Sequence, residues 1–293
     1  MKIKDLRKDF IGSLSELYNR EEVESFFYIL SEKYLDMRRV DIALSLDNDI
    51  NDNKLSCFAT AKERLLNQDP IQYIIGDTEF YGLLFKVNKN VLIPRPETEE
   101  LVDWIIKNQE EKKRNRKLRI IDIGTGSGCI AISLAKNIPN SEVYAIDVSE
   151  DALEVAMLNA IDNDVKVNFI KANALELDSL EGDFDIVVSN PPYVRELEKK
   201  EIQPNVLDNE PHLALFVSDE NPLIFYKKIT ELAKSSLTLG GLLYFEINQY
   251  LGEETKIMIQ EQGYQIVNLR KDLNGNDRMI QAGLIKNNIK IYE

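Results

Sequence analysis

Four consecutive residues, Asn190-Pro191-Pro192-Tyr193, carry the sharpest chemical signal in this 293-residue chain. The nitrogen of a carboxamide, or of an amino group on an aromatic ring, is a poor nucleophile because its lone pair is delocalised. A catalyst must therefore orient such a nitrogen rather than merely bind it. The Asn190 side-chain oxygen and the Pro191 carbonyl can each accept one N–H of an NH2 group. Pro192 stiffens the turn, and the Tyr193 ring can pack on the planar group, so Asn190, Pro191 and Tyr193 are the candidate catalytic residues and all four bind the substrate. No strong base is evident, and none is needed if the proton leaves late. Taken alone, the tetrapeptide also reads as a rigid Pro-Pro turn at a strand end.

Two further stretches point to the reaction partner of that nitrogen. Ile120-Ile121-Asp122-Ile123 runs into Gly124-Thr125-Gly126-Ser127-Gly128, a strand followed by a glycine loop that opens a helix. Such a loop lets backbone approach a ligand closely at the carboxyl edge of a sheet. Its GxGxG spacing departs from the GxGxxG of dinucleotide enzymes, and Asp122 just ahead of it is typical of S-adenosylmethionine binders. By itself the loop reads equally as a tight strand-to-helix connection. Val143-Tyr144-Ala145-Ile146-Asp147 then places an acid at the end of a second strand, where a carboxylate can accept both hydroxyls of a ribose. Alone, Asp147 is equally a strand-end turn residue. Ser149 reads as the N-cap of the helix that follows.

These residues need a scaffold that brings three strand ends together. From residue 118 the pattern is strand, glycine turn, helix, strand, helix, which predicts a parallel sheet covered on both faces. Strands are expected at 119–123, 142–147, 166–171, 184–189, 241–247, 265–269 and 279–284, the last two as an antiparallel edge pair. Residues from about 5 to 68 carry apolar positions at helical spacing, as in Val23, Phe26, Phe27 and Leu30, and predict a small helical bundle. From Gln72 to Val91, β-formers around Gly76 and Gly82 predict a hairpin joining the two parts. Pro94 and Pro96 impose an extended entry to a helix that Glu97 or Thr98 can start. The fold class is therefore α/β, a Rossmann-like seven-stranded domain with an N-terminal helical bundle. The expected limits are 1–70 for the bundle, 71–93 for the hairpin linker and 94–293 for the catalytic domain.

Composition narrows the partners. A net charge of −14 argues against a large nucleic-acid footprint, because non-specific affinity comes from Lys and Arg neutralising phosphates. The densest basic run, Lys112 to Arg119, reads as a solvated linker. Two cysteines and a single histidine offer neither a disulfide framework nor a metal cluster. No apolar run approaches a membrane span, and the N-terminus lacks an apolar targeting core. The expectation is a cytoplasmic, monomeric protein without metal, membrane or direct nucleic-acid partner.

Together these stretches resemble the PrmC/HemK family, S-adenosyl-L-methionine-dependent methyltransferases that modify N5 of the glutamine in the Gly-Gly-Gln motif of bacterial class I peptide chain release factors. The resemblance covers nearly the whole chain. It includes Tyr73-Ile74-Ile75-Gly76 with Phe80-Tyr81-Gly82, then Leu92-Ile93-Pro94-Arg95-Pro96-Glu97-Thr98-Glu99, similar to that family's link between its domains. Glu210-Pro211 with Ala214-Leu215, and Asp272 through Met279, match further family stretches. The resemblance implies that Gly124, Thr125, Gly126, Ser127 and Gly128 form the cofactor loop and that Asp147 holds the ribose. It implies that Asn173 and Ala174 lie near the adenine, that Asn190 also borders the cofactor, and that the helical domain recognises the release factor. Two positions depart from the pattern: Ala174, where relatives can carry an aromatic, and Asn248, where Gly is expected. Glu246 and Asn248 receive no role from the sequence.

Three other functions compete. An adenine-N6 nucleic-acid methyltransferase uses a similar Asn-Pro-Pro-Tyr but must grip a polynucleotide and flip its base, against the acidic charge and the hairpin motif. A non-catalytic scaffold retaining the cofactor fold conflicts with the complete set of motifs. A nicotinamide-dependent dehydrogenase is disfavoured by the loop spacing and by His212, which follows Glu-Pro and reads as a loop residue.

Overall fold

The computed structural model describes residues 1–110 and 116–285, so four residues of the basic run, 112–115, lie outside the described residues. Two compact units result: Met1–Asp77 with Gln203–Asn209, and Thr78–Ile202 with the described residues from Glu210 onward.

The first unit holds α1 (Ile3–Leu14), α2 (Arg20–Leu35), α3 (Arg39–Leu44), α4 (Asp52–Leu66) and α5 (Ile71–Ile75). Their apolar faces meet in a core built on Phe10, Phe27 and Phe58, whose ring centroids lie 5.7–6.4 Å apart. Asn19 and Asn51 cap α2 and α4 by accepting the amides of Glu22 and Lys54. The β-forming Tyr73-Ile74-Ile75 is helical here, a correction to the hairpin expected from Gln72. Pro70 precedes this single turn, and Gly76, at φ +82°, ends it by donating its N–H to the Gln72 carbonyl. A short apolar run does not distinguish strand from helix, and the Pro and Gly boundaries decided it.

The second unit opens with the hairpin of β1 (Asp77–Phe80) and β2 (Leu83–Lys86), followed by α6 (Pro96–Glu110). Pro96 occupies the first helical position, where a missing N–H costs nothing. There follow β3 (Leu118–Ile123), α7 (Cys129–Asn137), β4 (Ser141–Asp147), α8 (Glu150–Asp162), β5 (Val167–Lys171), β6 (Phe184–Ser189) and β7 (Val194–Arg195). After α9 (Pro204–Leu207), which belongs to the first unit, come α10 (His212–Leu215), β8 (Phe216–Val217), α11 (Ile224–Ser236), β9 (Leu237–Glu246), α12 (Gly252–Glu261), β10 (Ile266–Lys271) and β11 (Asp277–Gly283). His212 thus begins a one-turn helix rather than lying in a loop.

Seven strands form one sheet in the order β10-β11-β9-β6-β3-β4-β5. The pairs from β9 to β5 are parallel, and β11 runs antiparallel to both β9 and β10. Every residue of β6 is buried, as a central parallel strand covered on both faces requires. One core layer packs Leu101, Ile105, Ile130 and Leu134 against one face of the sheet; another packs Tyr226, Ile229 and Ile259 against the other. Arg116, the first described residue of the basic run, is exposed to solvent while its guanidinium pairs with the buried Asp185 of β6.

Candidate active site

The chain leaves β3 on one side for β4 and β5 and returns on the other for β6. Its carboxyl edge at β3 is therefore the topological switch point, where open α/β sheets bind ligands. The glycine loop leaves the end of β3, Asp147 ends β4, and Asn190 follows β6. Ser189 ties two of these ends by donating its hydroxyl to the Ile123 carbonyl at 2.6 Å. The resulting cleft encloses about 1320 Å³ including its open mouth, and Gly124 through Ser127, Asp147, Asn173, Ala174, Asn190, Pro191 and Pro192 all line it. Gly128 and Tyr193 lie outside that lining.

One half of the cleft has the chemistry of an adenosyl site. Asp147 accepts the Gly126 N–H at Oδ2 (2.8 Å) and the Ser149 N–H at Oδ1 (2.9 Å), which occupies two of the four or so lone-pair positions of a carboxylate and leaves the others for a diol. The loop amides are spent internally: Gly124 and Thr125 both donate to the Ile146 carbonyl, at 2.8 and 3.0 Å, and Gly128 donates to the Thr125 carbonyl at 2.9 Å. A pyrophosphate draws on such N–H groups, and these are not available to one. Ile146, Val148, Ala172, Ala174 and Leu175 supply an apolar wall. Asn173 turns its side chain back on its own loop, accepting the Leu175 N–H and donating to Glu176.

Beneath the loop, Asp122 is fully buried and accepts the Thr125 hydroxyl at 2.6 Å. Burial pushes its carboxyl up to about 7, against the Thr125 hydroxyl, which favours the charged form; the charge of Asp147 pushes in the same direction as burial. Burial likewise pushes the Cys129 thiol up to about 12, so this cysteine is no thiolate nucleophile. Ser149 caps α8 by accepting the Ala152 N–H, as expected.

The other half presents Asn190. Its Nδ2 donates to Thr98 Oγ1 at 3.3 Å, and Thr98 donates to Glu246 Oε2 at 2.6 Å. Thr98 therefore faces a buried carboxylate instead of starting α6. Tyr193 is anchored at both ends: its hydroxyl donates to Glu246 Oε1 at 3.1 Å, and its carbonyl accepts from Asn248 Nδ2 at 2.9 Å. Burial raises Glu246 above the ordinary carboxylate range, and burial beside that charge raises the Tyr193 hydroxyl far above its own.

Several site-building residues receive no role from the sequence, although Glu210 and Asp272 lie in stretches that resemble the family. Asn159, fully buried on α8, accepts the Lys86 N–H and donates to the carbonyls of Lys86 and Ser127, joining the hairpin to the glycine loop. Glu210 accepts the Ile93 N–H at 3.2 Å and Arg95 Nη2 at 2.5 Å, holding the Ile93–Arg95 segment against the cleft. Asp272 accepts the N–H groups of Asn274 and Asn276 and the Arg278 guanidinium, and Arg278 brings positive charge toward Glu246 and Tyr193. Asn248, where Gly was expected, links Tyr193 to Glu198. Phe225 and Ile229 reach the cleft from α11. Among the described residues, no group of three or more His, Cys, Asp and Glu could hold a metal ion, and no helix is long and apolar enough to cross a membrane.

Comparison with known proteins agrees with this geometry. Residues 5–76 match the family described as PrmC N-terminal domain, and residues 102–213 match the methyltransferase small domain. The release factor glutamine methyltransferase of Flavobacterium psychrophilum is 54% identical over 282 residues, covering 96% of this chain and 99% of the relative. That of Bacteroides thetaiotaomicron is 45% identical over 271 residues, covering 92% and 96%. Among solved structures, the hMettl16 catalytic domain in complex with an RNA hairpin superposes with a TM-score of 0.53 at 16% identity, over 81% of this chain and 84% of that one. The Thermus thermophilus 16S rRNA N2 G1207 methyltransferase does so with a TM-score of 0.52 at 17% identity, over 71% and 50%. These two show the shared fold alone. The sequence relatives, matched over nearly their full length, show more: the chain belongs to the release factor glutamine methyltransferase family.

Proposed function

We propose that this chain transfers the methyl group of S-adenosyl-L-methionine to the side-chain amide nitrogen, N5, of the glutamine in the Gly-Gly-Gln motif of peptide chain release factors. The observation that carries this reading is the placement of Asn190 and Pro191 in the same cleft as the glycine loop and Asp147. Near relatives of this chain bear the name release factor glutamine methyltransferase. When bound, the cofactor supplies a methyl group activated by its positive sulfur.

The protein's own part is binding and orientation. Asp147 holds the ribose, the apolar wall holds the adenine, and the loop of Gly124–Gly128 accommodates the rest. Asn190 Oδ1 and the Pro191 carbonyl each accept one N–H of the glutamine NH2 group, which fixes the amide plane and aims the nitrogen. Tyr193, held by Glu246 and Asn248, fixes the backbone of this turn. The amide loses its proton only as the new N–C bond forms, so no strong base is needed. The substrate is a protein rather than a nucleic acid, in keeping with the net charge of −14.

Mass spectrometry of a release factor incubated with the enzyme and S-adenosyl-L-methionine tests substrate and reaction together. One methyl group on the Gly-Gly-Gln glutamine is the expected result. Methyl groups entering RNA or DNA while the release factor stays unmodified would overturn the reading.

A further inference from the structure

Thr98, in the first turn of α6, and Glu246, the last residue of β9, are both buried, and neither touches the substrate in the reaction described above. Their hydrogen bonds nevertheless have a direction. Glu246 accepts the Thr98 hydroxyl at Oε2 (2.6 Å) and the Tyr193 hydroxyl at Oε1 (3.1 Å), so both of its oxygens act as acceptors. Thr98 has a single O–H. With that proton on Glu246, its oxygen can only accept, and the donor facing it at 3.3 Å is Asn190 Nδ2. A carboxamide carries NH2 on one arm and oxygen on the other, so holding the NH2 against Thr98 turns Oδ1 away from it.

We propose that Glu246 and Thr98 are positioning residues that set the flip of the Asn190 carboxamide, so that its oxygen and not its NH2 meets the substrate amide. This inference rests on the reading of Asn190 as an acceptor for the glutamine NH2 group. The reversed flip would set donor against donor and lose the orienting bond. The polarity begins at Glu246, whose two oxygens each accept a hydroxyl, and passes through the Thr98 hydroxyl to Asn190. Burial opposes the charge of this carboxylate. Tyr193 and Arg278 offset part of that opposition, the first by its hydroxyl and the second by its charge.

The test compares Thr98→Val, Thr98→Ser and Glu246→Gln with the wild-type enzyme, using a release factor substrate and S-adenosyl-L-methionine. Valine keeps the shape of threonine but leaves the partly buried Asn190 NH2 unpaired in the productive flip, and an unmet donor corresponds to a fall of roughly 5- to 100-fold in kcat. Serine keeps the hydroxyl and should recover most of the loss. Glutamine at 246 can donate to Thr98 and reverse the chain, so kcat should fall again. Cofactor affinity, measured by calorimetry, should stay within about twofold throughout, because neither Thr98 nor Glu246 is among the residues assigned to the cofactor. In the protein without substrate, the 15N side-chain resonance pair that Asn190→Ala removes should shift in Thr98→Val and not in Thr98→Ser.

A Thr98→Val enzyme with wild-type kcat, or serine and valine variants that fall equally, would overturn the relay. Should Thr98→Val fail to fold, Glu246→Gln decides, and unchanged kcat there defeats the proposal. Absence of glutamine methylation by the wild-type enzyme would instead defeat the proposed function itself.

Discussion

Replacing the second and third loop glycines by alanine should produce two different failures. Gly128 has φ +82°, and a Cβ there would stand 3.1 Å from Ala156 Cβ and 3.4 Å from Ala156 Cα, besides 2.8 Å from the movable Ile132 Cδ1. The left-handed backbone costs an L-residue about 1–2 kcal/mol, and forcing a methyl group between α7 and α8 costs about 1–3 kcal/mol more. Gly128→Ala should therefore lose roughly 2–5 kcal/mol and lower Tm by roughly 4–20 °C. Gly126 has φ +55°, but its Cβ would meet nothing within 4 Å and would enter the cleft that Gly126 lines. Gly126→Ala should lose only about 1–2 kcal/mol of stability, from the backbone. Its cost falls on the cofactor: overpacking of about 1–3 kcal/mol weakens binding roughly 5- to 150-fold. Thermal melting of the apo variants and calorimetric titration with S-adenosyl-L-methionine separate the two. If Gly126→Ala binds as tightly as wild type, or Gly128→Ala melts with it, the assignment of one glycine to ligand approach and the other to helix packing is wrong.

Asn190→Ala should lower kcat by about 10²- to 10³-fold with cofactor affinity nearly intact, since it removes an orienting acceptor; single-turnover rates beside a binding titration check this. Asp147→Ala should weaken cofactor binding by about 10²-fold through loss of hydrogen bonds to a charged acceptor, and an unaltered titration would refute the ribose assignment. Asp122 gives a pH prediction. Its carboxyl titrates at about 7 in the fold against an ordinary 3.8, so between those values the folded chain holds a proton that the unfolded chain has lost. Stability should fall as pH rises through that window, by up to about 4 kcal/mol, and Asp122→Asn should lessen that fall; an equal change in unfolding free energy between pH 5 and pH 8 for variant and wild type, measured by denaturant titration, would refute it.

Much of the catalytic unit was legible because its motifs are local. Strand, glycine turn and helix follow one another from Ile120 to Ala131, and the apolar run Ile186-Val187-Val188 shortly before Asn190 announces a strand buried on both faces. Predicted and observed strands differ mainly at their ends, most at β9, which starts at Leu237 rather than near Gly241. The seven-residue stretch Gln203–Asn209, which packs with the first unit, left no trace in the linear pattern. Asn209 holds the Gln68 carbonyl from 141 positions away, a distance no periodicity registers.

The sequence by itself determined where backbone turns sharply, which strands are covered on both faces, and which three strand ends carry Gly124–Gly128, Asp147 and Asn190–Tyr193. These properties follow from φ preferences, side-chain period and the stiffness of proline, all of which act over a few residues. Only the tertiary structure decided which buried polar groups face one another. Thr98 meets Glu246 across 148 positions, Asn159 meets Lys86 across 73, and Ile93 meets Glu210 across 117. Each pair depends on strand order and on which helix covers which face. The same buried threonine or glutamate reads alike from its neighbours in sequence whether or not a partner waits on another element, and desolvation makes finding that partner obligatory once the fold has closed.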